Sequence, residues 1–178
     1  MADFEEFDWR DLSENPWRLI ADEWMLVTAG AIGAWNTMTA SWGGVGHLWN
    51  KDVVFSFVRP TRHTFGFMER AEGFTISFFA PGRRDALKVC GSTSGRDTDK
   101  AAAAGITPRA FSSAKAPSRV SFAEARLVLS CRKIHAQYID PAGFIDPSIA
   151  KNYAANDWHR IYVGEIEAAW RAAGAGRA

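Results

Sequence analysis

Only two cysteines occur in 178 residues, Cys90 and Cys131, and they form no Cys-x-x-Cys pair. That excludes a disulfide framework and a paired-cysteine metal or redox motif, and both thiols are expected to be free in a reducing compartment. An excess of charge of one sign is also lacking. Lys and Arg number 21 against 20 Asp and Glu, a formal net charge of +1, which gives no footprint for nucleic acid or an anionic membrane surface. No apolar run approaches the roughly 20 residues of a membrane span. The opening segment, MADFEEFDWRDL, is acidic where a secretory signal would be basic and then apolar, so a cytoplasmic protein is expected.

Catalytic signatures are missing too. His47, His63, His135 and His159 show no metal-ligand spacing with one another or with the cysteines. There is no Gly-x-Ser-x-Gly elbow, no Walker A loop and no Gly-x-Gly-x-x-Gly fingerprint. Hydrolytic and proton-transfer enzymes need a nucleophile or a general base, and none declares itself. A cofactor enzyme asks less of its protein: binding, orientation and an electrostatic setting.

What is present is a globular composition, 47% hydrophobic and 23% charged, of a length suited to one domain. Eight Trp and twelve Phe suit a core, an interface or a cofactor wall, and composition does not choose among these. Periodicity predicts strands over residues 25–29, 34–42, 53–58, 74–79 and 159–169, with a turn at 30–33. The Gly43, Gly44, Gly46 cluster is expected to break the second strand. Helices are expected over 61–70 (capped by Thr61), 82–91 and 97–104 (capped by Asp97 or Thr98 and stopped by Gly105), with a short helical turn over 14–20. In 124–138, Leu127, Leu129 and Cys131 share one parity and Ile134, Ala136 and Tyr138 the other. Such a phase flip marks a β-bulge, placed at Arg132 or Lys133. From Trp170 onward a frayed tail is expected. With six or seven strands and no βαβ alternation, the fold class is mainly β, a barrel with helical insertions.

Three clusters suit a phosphorylated ligand. Asn36-Thr37-Met38-Thr39-Ala40-Ser41-Trp42 offers an amide, hydroxyls and accessible backbone N–H groups at a strand end, and it also reads as a Thr-rich edge strand. Arg59-Pro60-Thr61-Arg62-His63-Thr64 places two arginines at a helix N-terminus, where phosphate is attracted, and is equally a solvated basic turn. Gly91-Ser92-Thr93-Ser94-Gly95-Arg96-Asp97-Thr98-Asp99-Lys100 is a Gly-flanked loop opening a helix, a phosphate cradle or a capped surface loop.

Taken in order, MLVTAG…NTMTASWGG…VVFSFVRPTRHTFGFME…FTISFF…CGSTSGRDTDK…EARLVLSCRKI…FIDP…HRIYVGEI resembles the flavin-reductase-like, FMN-binding split-barrel family, in its flavoredoxin-type branch, over residues 15–168. The resemblance implies a single domain spanning 1–178, a six-stranded antiparallel split barrel of Greek-key type, a homodimer, and non-covalent FMN near the dimer interface. It places Asn36, Thr37, Met38, Thr39, Ala40, Ser41 and Trp42 along the flavin ring and ribityl chain, and Arg59, Arg62 and Thr64 at the phosphate end. Ser92, Ser94, Gly95, Arg96, Asp97 and Lys100 would close over the cofactor, and His159 would lie near the pocket. It further implies an oxidoreductase passing electrons from NAD(P)H through flavin to a redox partner protein or small-molecule acceptor. The alternatives are an FMN electron carrier without reductase activity and a structural module without flavin.

Overall fold

The computed structural model describes residues 3–174. One antiparallel sheet of eight strands dominates it. β1 is Phe4–Glu6, β2 Met25–Ala31, β3 Ala34–Ala40, β4 Gly43–Leu48 and β5 Lys51–Val58. Helix α1, His63–Arg70, precedes β6, Gly73–Phe78. Helices α2, Arg84–Ser92, and α3, Lys100–Ala104, follow. A two-stranded ribbon comes next, β7, Pro108–Phe111, and β8, Arg119–Phe122. The long strands β9, Leu127–Tyr138, and β10, Arg160–Ala172, complete the chain.

The sheet order is β3-β2-β6-β9-β10-β5-β4, with β1 pairing the far half of β10. Its first and last strands, β3 and β4, are consecutive in sequence and separated only by Ser41 and Trp42. Three peptide steps span at most about 11 Å, so the two ends of the sheet must curl towards each other. They meet across a seam without ladder hydrogen bonds, which is a split barrel. Near the termini of the described chain, the Ala173 amide donates to the Asp3 carbonyl at 2.7 Å.

Alternation along the strands fills two cores. Met25, Val27 and Ala29 of β2 face the barrel interior with Phe74, Ile76, Leu127, Leu129, Cys131, Tyr162 and Met68 of α1. Leu26, Val128, Ala168 and Trp170 face outward, where Leu87 and Cys90 of α2 cover them together with Phe111 and Phe122 of the ribbon. The expected bulge is present. Val163 pairs with His135 and Gly164 with Lys133, so the extra residue is Ile134, one position beyond the pair expected. A second irregularity leaves Glu167 of β10 unopposed.

Several local expectations are corrected. Gly43, Gly44 and Gly46 do not break the sheet but form β4 against β5, and close approach at the seam requires the first of them: a Cβ on Gly43 would lie 2.7 Å from Met25 Cε and 2.9 Å from the Phe55 carbonyl oxygen. Trp170 is not in a frayed tail; it is buried and paired with both Val128 and Glu6. Helix α1 begins at His63, with no side-chain cap on its first turn, so Thr61 is not its cap. Helix α3 is shorter than expected and capped by Asp99, which accepts from the amides of Ala101 and Ala102; Gly105, at φ +60°, ends it as expected.

Candidate functional site

The seam carries the site. β3 ends at Ala40, Ser41 and Trp42 cross to β4, and β5 delivers Phe57 and then Arg59 to the same corner. Pro60 stops β5, because it has no N–H for a ladder, and the turn it makes feeds α1 through Arg62. The C-terminus of α2 brings Gly91, and His159 arrives just before β10. These segments enclose an open cleft of about 240 Å³ lined by Met38, Thr39, Ala40, Ser41, Trp42, Phe57, Arg59, Arg62, Gly91 and His159. Trp42 and Phe57 give it aromatic walls, and the two arginines give it a cationic end.

Other expected site residues lie outside the cleft lining. Asn36 and Thr37 on β3, and Thr64 and Lys100 packed against it, are buried. Asn36 Nδ2 donates to Thr64 Oγ1 at 2.7 Å, tying β3 to α1. Thr37 shares a 2.8 Å hydroxyl contact with Thr28. Lys100 Nζ donates to the carbonyls of Thr37, at 2.7 Å, and Cys90, at 2.9 Å. These four therefore brace the wall. At the end of α2, Ser92 Oγ donates to the Lys88 carbonyl at 2.8 Å, and on the loop that follows Ser94 Oγ accepts from the Arg96 amide at 3.2 Å. Arg96 and Asp97 are exposed, while Gly95 rests on the Asn36 amide, where a Cβ would lie 2.0 Å from Oδ1.

The two arginines differ. Arg59 Nη1 reaches both Asp157 oxygens, at 2.8 and 2.7 Å, Nη2 donates to the Asn152 carbonyl at 2.9 Å, and the guanidinium lies 5.0 Å from the Tyr153 ring centroid. Arg62 donates from Nη2 to the Gly91 carbonyl at 2.6 Å; no other partner of its guanidinium is found among the described residues. Electrostatics at this end are cationic. Burial, and then Arg59, lower the pKa of Arg62. Burial pushes Lys100 down to about 8, and burial followed by the charges of Arg96 and Lys100 lowers His63. The hydrogen bond from Arg59 holds Asp157 below the usual carboxylate range. His159 is pushed down to about 4 by burial and by Arg59, so it is neutral at pH 7. A cleft with aromatic walls and a cationic rim fits a flat, anionic ligand.

Sequence reasoning missed Tyr153 and Asp157, which anchor the long crossover between β9 and β10 to Arg59. Nothing in local periodicity marks that crossover, since 3₁₀ turns at Pro141–Gly143 and Pro147–Tyr153 have no long-range pattern. Phe57 falls within the strand expected over 53–58, but its arrival at the cleft depends on the sheet curling. Among the described residues no cluster of His, Cys, Asp or Glu could hold a metal ion, and no helix is long and apolar enough to cross a membrane.

A family model described as a flavin reductase-like domain matches residues 17–178. Solved structures with the same fold include an FMN-binding domain of a flavin reductases-like enzyme from Shewanella baltica. It has a TM-score of 0.66 and 19% identity, with 96% of this chain and 78% of that one covered. A flavoredoxin from Methanosarcina acetivorans aligns at TM-score 0.61 and 21% identity, over 85% of this chain and 69% of that one. An NADH:FAD oxidoreductase from Streptomyces globisporus, in complex with NAD and FAD fragments, aligns at 0.59 and 17%, over 84% and 74%. No curated protein matches the chain.

Proposed function

The chain belongs to the flavin reductase-like family, and on that premise we propose that it is an FMN-binding oxidoreductase that takes electrons from NADH or NADPH. The observation that carries this reading is the convergence of Trp42, Phe57, Arg59, Arg62, Gly91 and His159 on one cleft from four separate stretches of chain. When bound, FMN supplies the redox chemistry, accepting hydride from a nicotinamide and releasing electrons to an acceptor.

The residues present fit such a cofactor. Gly91 lines the cleft, and a Cβ there would lie 3.2 Å from Thr39 Cβ, so glycine keeps the wall open. Arg62, with most of its fork uncommitted, is the residue suited to the phosphate. Trp42 and Phe57 would flank the ring and exclude water, and the β3 edge running into Ser41 would supply backbone N–H groups to its polar side. Asn36, Thr64 and Lys100 hold that wall in place from behind.

A cleft of about 240 Å³ is smaller than the roughly 300–1,000 Å³ typical of ligand pockets. It would take part of the cofactor, with the remainder along its open side. We therefore also propose a homodimer in which a second copy covers that side; Trp17 and Trp42, 78% and 48% exposed beside the seam, suit such a contact.

The test is a visible absorption spectrum of the purified protein, with the released cofactor identified after heat denaturation. Yellow protein that releases FMN, and is bleached rapidly by NADH or NADPH under anaerobic conditions, supports the reductase. Yellow protein that neither nucleotide reduces makes it an electron carrier. Protein that is colourless and fails to bind added FMN overturns the flavin reading.

A further inference from the structure

Tyr153 is the last residue of the 3₁₀ turn Pro147–Tyr153, and it is only 5% exposed. Its ring is held among Trp158, at 4.5 Å between centroids, Phe144, at 6.1 Å, and the Arg59 guanidinium. Its hydroxyl meets His159 Nδ1 at 2.9 Å in a buried contact. His159 is itself buried, with Trp42 at 5.3 Å and Phe57 at 6.4 Å between ring centroids. Its other nitrogen, Nε2, has no hydrogen-bond partner among the described residues, and the ring lines the cleft.

The direction of this hydrogen bond follows from what each group has left. The Tyr153 hydroxyl has no other partner among the described residues. If Nδ1 carried the proton, the phenol would accept from it and its own proton would be stranded without an acceptor in a buried site, which is unfavourable. Donation from the phenol to Nδ1 satisfies both groups and leaves the imidazole proton on Nε2. Burial raises the phenol pKa and lowers that of the imidazole, so both are neutral at pH 7 and the choice is between tautomers.

We propose that Tyr153 is a positioning residue: its hydroxyl fixes His159 as the Nε2–H tautomer and so presents one hydrogen-bond donor from the cleft wall to a carbonyl oxygen of the bound molecule. The use of that donor rests on the flavin reading; the tautomer does not. Arg59 supports the arrangement, since by gripping Asp157 and the Asn152 carbonyl it fixes the chain on both sides of Tyr153.

Long-range proton–nitrogen correlation NMR of the wild-type protein reads the His159 tautomer directly, with no cofactor needed. A protonated Nε2 and a bare Nδ1 are expected; the reverse overturns the proposal. Tyr153→Phe keeps the ring and removes only the hydroxyl, and should leave His159 a mixture of tautomers. In FMN-loaded protein the same variant should lower kcat for NADH oxidation about three- to tenfold, with KM and FMN affinity within about twofold. Unchanged kcat overturns the positioning role. Failure of the wild type to bind FMN overturns the flavin reading instead, and the tautomer result still decides what Tyr153 does.

Discussion

Arg59 and Arg62 stand three residues apart on one turn, yet their side chains have different work. Arg59 is committed to Asp157, Asn152 and Tyr153, so Arg59→Ala should cost about 1–2 kcal/mol of stability, seen as a lower Tm, because Asp157 loses its partner. Arg62 has donors to spare, and Arg62→Ala should weaken FMN binding by about 1.5–3 kcal/mol in a titration. Unchanged affinity would remove Arg62 from the phosphate site. The resemblance placed both at the phosphate end, and the basic turn itself could not separate them, because it shows which charges are near, not which are already paired.

His159 carries a pH signature at the same scale. Its pKa is about 4 when folded and 6.5 by its ordinary value, so between those limits the unfolded chain binds a proton that the folded chain refuses. Stability should be undiminished above pH 6.5 and fall as the pH drops towards 4, by about 2–3 kcal/mol in all. Urea unfolding at pH 4.5 and pH 7 checks this against His159→Asn, whose loss over the same interval should be smaller; equal losses would mean the ring is not held neutral.

At the scale of elements, hydrophobic alternation was the readable signal. It placed β2, β5, β6 and β9, and the parity flip between Cys131 and Ile134 announced the bulge to within a residue. The ribbon of β7 and β8 was not readable, since four-residue strands around Pro108 and Arg119 have too few alternations to stand out. β4 was hidden for another reason. Glycine weakens a strand by propensity, and only a structure shows the neighbours that demand it. The same logic makes Gly164→Ala informative. A Cβ there would lie 2.7 Å from the Phe74 ring and 2.8 Å from Cys131 Cβ, so β9, β10 and β6 would have to part. A loss of at least about 1–3 kcal/mol is expected in chemical denaturation.

For the whole molecule, the two cysteines sit on either side of the sheet, both buried and without disulfide. Burial pushes Cys90 up to about 11 and raises Cys131 further, so neither is a thiolate at neutral pH. An aromatic disulfide reagent should therefore label neither in native buffer and both after denaturation; rapid native labelling would mean the two cores open readily. Fold class was legible because strand patterning is local. The cleft was only half legible, because its wall, from Met38 to Trp42, is one contiguous segment, while Tyr153 and Asp157, which hold the lining residues His159 and Arg59, lie on a crossover without periodicity.

The bond between Asp3 and Ala173 has a topological consequence. Residues close to both ends of the described chain are already neighbours, held by β1 on β10, so a short flexible linker could join them without disturbing a strand. The backbone could then be reopened at the tight turn of Ile32 and Gly33, where Gly33 sits at φ +87°, far along β3 from the seam. Circular permutation there would reorder the sequence and keep the sheet order, the cores and the cleft as they are. Over the described residues the architecture is in this sense a ring, held together in the same way wherever its backbone is opened.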